Sequence, residues 1–368
     1  MHKPGELDLS IAAEFDDGFP HDYFKMLRRA APVCWHPERD GPGHWAVTRY
    51  EDLKHVSRNP LLFSSWLGGT TVRDVPPENL DRSRAMMLNM DPPQHAKYRR
   101  LVQRGFTPRM IQQLGPHIRQ LANDIIDRVA SRGECELVSE ISAELPMQVI
   151  CEMLGVPEED RRNIYDLSNR MIGFDDPEYQ RSPEDGIQAA TELFLYASKL
   201  SERATRAPAD DIVTTLVSAD VDGEKMSELD FNSFFLLLAV AGNETTRTAT
   251  QDVELHGAQI RAGEKVTIWY PSVNRDEDVF PDADAFDVGR SPNDHLAFGV
   301  GEHFCLGASL ARLELLIIFE ELLRRLPDIT LDGPVRRLRS SLIDGIKEMH
   351  VHFTPEGRSA TVAVPAGS

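Results

Sequence analysis

Residues 298–307 read FGVGEHFCLG, and no other stretch of the chain constrains its fold and chemistry as much. Three glycines, Gly299, Gly301 and Gly307, bound a tight loop around Cys305, and an apolar helix is expected to start at Ala308. A cysteine placed there meets the unpaired N–H groups and the positive end of the helix dipole, which favour a thiolate. Glycine also lets a backbone come close to a large flat ligand. A metal thiolate, a nucleophile and a buried structural cysteine all satisfy these conditions, so the loop alone does not choose among them.

Upstream of the loop, 274–295 (NRDEDVFPDADAFDVGRSPNDH) is rich in Asp, Pro and Asn and follows neither the helical nor the strand period; an ordered loop is expected. Before it, Val253, Leu255, Ile260, Val266 and Ile268 alternate around His256-Gly257 and Ala262-Gly263, which predicts short strands joined by tight turns. Elsewhere the spacing is helical. In 113–129, Ile118, Leu121, Ile125, Ile126 and Val129 form one stripe. Downstream, 308–326 carries Leu310, Leu313, Leu316, Ile317 and Phe319 and stops at Pro327, which predicts a buried helix. Ser227-Glu228-Leu229-Asp230 resembles a capping box and opens a helix expected to run to about Arg247, apolar on almost every face until Gly242. Glu244, Thr245 and Thr246 are costly choices inside such a helix, because a buried carboxylate needs a partner. The bland alternative is that the helix surfaces there.

Composition narrows the function classes. Against 40 Lys and Arg stand 59 Asp and Glu, a formal charge of −19 over 368 residues, which excludes a generic nucleic-acid binder. The longest apolar run, 234–241, is far short of the roughly 20 residues that cross a bilayer, so no membrane span is expected. The first residues are acidic and polar, unlike a secretory leader, and a cytoplasmic location is expected. Cys34, Cys135 and Cys151 share no metal-finger spacing with Cys305 and are expected to be reduced and mostly buried. Residues from 355 onward read as a frayed tail.

FGVGEHFCLG resembles the cysteine-ligand signature of the cytochromes P450, the haem-thiolate monooxygenases. Two further stretches agree in order and character. AGNETT (241–246) resembles the family's oxygen-activating motif on its long central helix, and His95 with Arg99 in DPPQHAKYRR resembles its propionate-binding pair. The resemblance implies a mainly α fold with small β-sheets, a single domain over 1–368, and haem b as cofactor. Cys305 would ligate the iron. His95, Arg99 and His303 would pair the haem propionates, with Phe298, Gly299, Gly307, Ala241 and Gly242 against the haem. Glu244 and Thr245 would relay protons over the distal face. A ferredoxin and its reductase would supply electrons, docking near the basic run 97–109, KYRRLVQRGFTPR, which holds five positive and no negative side chains.

One family element is missing. The Glu-x-x-Arg helix expected between the central helix and the strands before the cysteine loop is not found: AGNETTR passes directly into TATQDVELHG, a loss of about fifty residues near 247/248, judged from typical helix lengths. Arg247 itself fits either the end of the central helix or the first strand. Within the family, 63–77, 171–180, 219–231 and 338–353 resemble bacterial members that hydroxylate sterol side chains and methyl-branched lipids. That places Trp66 to Val75, Met86 to Leu88, Met171 to Phe174, Val240 and Leu342-Ile343 around an apolar pocket. The readings carried forward are a monooxygenase of hydrophobic substrates and a haem-binding remnant that lost turnover with the missing helices. A hydrolase using Cys305 ranks last, for want of a paired base.

Overall fold

The computed structural model describes residues 2–209, 211–221, 223–239 and 245–357. The chain forms two compact units: one of Met1–Phe106, Met153–Ala308 and Leu338–Gly345, the other of Thr107–Glu152, Ser309–Arg337 and Ile346–Ser368. Both are mainly helical with small sheets, as expected.

The first unit holds a five-stranded sheet of β1 (Val33–His36), β2 (His44–Val47), β3 (Phe63–Ser64), β4 (Thr246–Ala249) and β5 (Lys265–Ile268), in the order β1-β2-β5-β4-β3. β5 runs parallel to β2, and the other neighbours are antiparallel. Both faces are covered, so β4 and β5 are buried at every position. Alternation along β2 divides the core: Val47 packs with Leu53, Phe63, Val266 and Leu296, whereas Ala46 faces Phe24, Leu27 and Trp269 on the other side. Beside the sheet, Val253–Leu255 and Ala258–Ile260 form a hairpin whose turn residues His256 and Gly257 both have positive φ, 49° and 79°. The alternation read from the sequence is the one observed.

The expected loop 274–295 contains no helix or strand, and polar groups order it. Asp276 accepts from the Tyr50 N–H (2.9 Å), Asn274 accepts from the Leu296 N–H (2.7 Å), and Arg290 donates to the carbonyls of Pro281, Asp282 and Ala285.

Two helices depart from expectation. The capping box is real: Ser227 Oγ donates to Asp230 (2.6 Å), and the Asp230 N–H donates back to Ser227 Oγ (3.2 Å). The helix it opens, α2 (Glu228–Ala239), ends well short of Arg247. Residues 246–249 are a strand, because the β-branched Thr246 and Thr248 fit a sheet better than a helix and find backbone partners on both sides. The second is α3 (Ala308–Arg325), expected to be buried. Leu310 and Ile317 are buried, but Leu315, Leu316, Phe319 and Leu323 are each more than half exposed. Apolar residues occupy more of the circumference than the packing covers.

In the second unit, Gly115–Ala130 forms the expected amphipathic helix, burying Ile118, Ile125, Ile126 and Val129. A three-stranded sheet of Glu134–Glu136, His350–His352 and Thr330–Leu331 lies in the same unit.

Candidate active site

Cys305 sits in a loop closed by its own backbone. Its N–H donates to the Phe298 carbonyl (2.8 Å), the Gly299 N–H to Leu296 (2.9 Å) and the Phe304 N–H to Gly301 (3.1 Å). Gly301 is required on two grounds: its φ is +81°, and a Cβ there would lie 2.6 Å from the Ser57 carbonyl oxygen. A Cβ on Gly307 would meet nothing within 4 Å, so the last glycine borders open space next to the thiol.

The four cysteines are all reduced, and only Cys305 is exposed. Cys135 and Cys151 are buried, and burial pushes the Cys135 thiol up to about 11, which keeps it protonated and inert. Cys34 is half-buried and shifted upward for the same reason. These three behave as small hydrophobes, as expected.

Helix α1 (Gln94–Val102) carries His95 and Arg99 one turn apart. His95 is 2% exposed, and its ring lies 4.1 Å from that of His303, centroid to centroid, at 34°. The fold thus brings the histidine of DPPQH against the histidine of the cysteine loop. Arg99 is partly buried on the same helix.

Thr245 is buried, and its backbone leads into β4. Its Oγ1 donates to the Thr70 carbonyl at 3.2 Å, its N–H reaches the same oxygen at 3.4 Å, and its own carbonyl accepts from the Ile268 N–H (2.6 Å). With the hydroxyl proton so engaged, the oxygen's lone pairs are left to accept a hydrogen bond. Val240, Ala241, Gly242 and Glu244 lie outside the described residues. Arg247, ambiguous in the sequence, stands on β4 opposite Val266, buried, with its guanidinium donating to the Thr246 carbonyl (2.9 Å).

Segments expected around an apolar pocket also meet, through polar groups. Arg73 pairs with Asp175 at 2.9 Å and lies over the Phe174 ring, while Ser341 Oγ donates to the same Asp175 carboxylate at 3.3 Å. Sequence reasoning missed Asn89 and Asp91, which organise the loop carrying Thr70. The available signal was two polar residues interrupting the apolar run MMLNMD just before Pro92.

Comparison with known proteins agrees with this picture. The family described as Cytochrome P450 matches residues 237–328. The chain is 39% identical to the steroid C26-monooxygenase of Rhodococcus jostii (strain RHA1), with 95% of this chain and 85% of that protein covered. It is 36% identical to the methyl-branched lipid omega-hydroxylase of Mycobacterium bovis, over 92% of each. Among solved structures, a Mycobacterium marinum cytochrome P450 in complex with pseudoionone superposes with a TM-score of 0.87 at 34% identity, covering 96% of this chain and all of that one. The chain belongs to the cytochrome P450 family of monooxygenases, whose cofactor is haem. The alignment with the Rhodococcus protein extends over 404 residues, yet 95% of this chain is only about 350, so some fifty positions of the relative have no counterpart here.

The residues present fit a haem. An accessible thiol stands in a glycine loop that borders open space, and two imidazoles in close contact, with a guanidinium on the helix of His95, form a donor set suited to carboxylates.

Proposed function

We propose that the protein hydroxylates a hydrophobic substrate, a sterol side chain or a methyl-branched lipid, in the cytoplasm. One atom of O2 enters a C–H bond and the other leaves as water, with two protons and with two electrons from a ferredoxin that its reductase reloads. The observation that carries this reading is the Cys305 loop, whose glycines expose one reduced thiol while the other described cysteines are withdrawn from solvent.

Cys305 Sγ would ligate a haem, which would supply oxygen activation favoured by electron donation from the thiolate. His95, Arg99 and His303 would hold its two propionates, and burial of His95 would strengthen that charge-assisted bond. Phe298, Gly299 and Gly307 would line the cofactor, and the resemblance assigns the same place to Ala241 and Gly242, which lie outside the described residues. Thr245 Oγ1, its proton given to Thr70, accepts a hydrogen bond from a water and fixes it where a proton is needed, and Glu244 replenishes that proton. Arg100, exposed on α1, stands in the basic run that an acidic ferredoxin would meet. Among the described residues, no helix is long and apolar enough to cross a membrane.

A second reading has its own observation. Only a short stretch of sequence separates Ala239, the last described residue of α2, from Thr246 at the start of β4, too short for a Glu-x-x-Arg helix, in line with the fifty unmatched positions. The chain is then one P450 domain with an internal deletion near 247/248. In that form the protein retains a haem site without turnover.

Reduction under carbon monoxide tests the site. A strongly red-shifted Soret band is expected, and Cys305→Ala is expected to abolish it; a variant that kept the band would end the assignment. Product formed per electron pair with ferredoxin then separates a working monooxygenase from a remnant.

A further inference from the structure

We propose that Asn89 is a positioning residue for the Thr245 hydroxyl, acting through Thr70. The inference rests on the role given above to Thr245 and extends it to the residues that aim it.

Three donors converge on one oxygen. The Thr70 carbonyl accepts from the N–H of Thr245 (3.4 Å), the N–H of Thr246 (3.2 Å) and Thr245 Oγ1 (3.2 Å). Where that carbonyl points decides where the hydroxyl proton points, and therefore which way the oxygen's lone pairs face. Thr70 belongs to no helix or strand, so something else must hold it.

Asn89 does so. Its Oδ1 accepts from Thr70 Oγ1 at 2.8 Å, and its amide nitrogen donates to both the carbonyl and the hydroxyl of Ser83, each at 2.9 Å. Thr70, Asn89 and Thr245 are exposed by only 5%, 4% and 7%, so water is a poor substitute for any of these bonds.

The loop is anchored on either side as well. Asp91 accepts from the Ser65 N–H (2.8 Å) and from Ser64 Oγ, which in turn caps the N–H groups of Trp66 and Leu67 at 3.1 Å. Beyond Thr70, the Val72 carbonyl accepts from Lys265 Nζ (2.8 Å). Between these anchors the bond from Thr70 Oγ1 to Asn89 holds the Thr70 side chain, and with it limits how far the residue can turn. Asn89 and Asp91 stand immediately before α1, which carries His95 and Arg99. One short stretch therefore leads into the helix that carries His95 and Arg99 and, through Thr70, reaches the hydroxyl just before β4.

The test uses Asn89→Ala and Thr70→Val, the second keeping the backbone carbonyl while deleting the donor to Asn89. Hydrogen–deuterium exchange at the Thr245 and Thr246 amides is expected to accelerate at least tenfold in both, with the hairpin 253–260 unchanged. In haem-loaded protein both variants are expected to raise peroxide release per electron pair in the direction of Thr245→Ala. Asn89→Ala added to Thr245→Ala should change nothing further. If Thr245→Ala uncouples while both other variants leave exchange and peroxide at parental values, Asn89 has no positioning role. Exchange that accelerates equally in the hairpin means general loosening and overturns the proposal too. If Thr245→Ala does not uncouple, the role of Thr245 falls, and the proposal falls with it. Should Asn89→Ala fail to fold, Thr70→Val carries the same outcomes.

Discussion

His44 makes the stability of the sheet depend on pH, and the size of the effect follows from its surroundings. It stands on β2 directly opposite His36 on β1; both side chains are fully buried, with the rings 5.8 Å apart and nearly parallel at 19°. His36 is satisfied by the Tyr23 hydroxyl (2.8 Å) and the Cys34 carbonyl (3.1 Å). Neither ring nitrogen of His44 has a hydrogen-bond partner. On its other flank, β5 places Lys265 opposite it, with the ammonium engaged by Glu38 and Asp74. Burial first, then His36 and Lys265, push the His44 pKa down to about 3 from an ordinary 6.5. His36 is lowered as well, by burial, against the opposing pull of its bond to the Cys34 carbonyl and of Asp8.

Between those two values the unfolded chain binds a proton that the folded chain refuses. Stability is therefore complete above pH 6.5 and falls as pH drops toward 3. At pH 5 the His44 share of the loss is about 2 kcal/mol, from about 1.4 kcal/mol per pH unit below 6.5. His44→Leu removes that share and also two unsatisfied nitrogens, so it should be at least as stable as the parent at neutral pH. Urea unfolding followed by tryptophan fluorescence, at steps from pH 8 to pH 5, should show the variant gaining about 2 kcal/mol on the parent over that interval. Parallel stability curves would refute the reasoning and mean that the ring reaches a partner or water on protonation.

Lys265 and Glu38 are buried partners, with side chains 7% and 3% exposed, so Lys265→Met strands a carboxylate and should cost about 3–5 kcal/mol in thermal or denaturant unfolding. A second change, Glu38→Met, should recover much of that loss. Gly301→Ala forces a Cβ against the Ser57 carbonyl at a positive φ, and the haem-to-protein ratio of the purified variant should fall well below that of the parent. Arg100→Glu should slow stopped-flow reduction by a ferredoxin and flatten its salt dependence while leaving substrate binding unchanged; equal rates at low ionic strength would move docking elsewhere.

Much of the molecule was legible in one dimension because the deciding interactions are local. A glycine at positive φ, a capping box and an alternating run are set by residues within a few positions of one another. The Cys305 loop, the Ser227 start of α2 and the His256-Gly257 turn therefore stand where the sequence puts them. The same locality misled at 245–249, where an apolar helix start suggested a helix continuing to Arg247. The strand at Thr246–Ala249 wins because its hydrogen-bond partners lie outside the segment, on β5 downstream and on β3 far upstream in the chain.

Motif and composition by themselves determined the family resemblance, the thiolate candidate and the helix pair His95 and Arg99. Only the tertiary structure decided that His95 lies against His303, that the Thr245 hydroxyl donates to the Thr70 carbonyl, that Thr70 Oγ1 donates to Asn89, and that one apolar side of α3 is left exposed. Spacing can rank which residues share a face of one element. Which carbonyl a buried hydroxyl meets depends on how separate elements close over each other, and that is fixed only when packing excludes water and leaves each buried polar group to find its partner inside the protein.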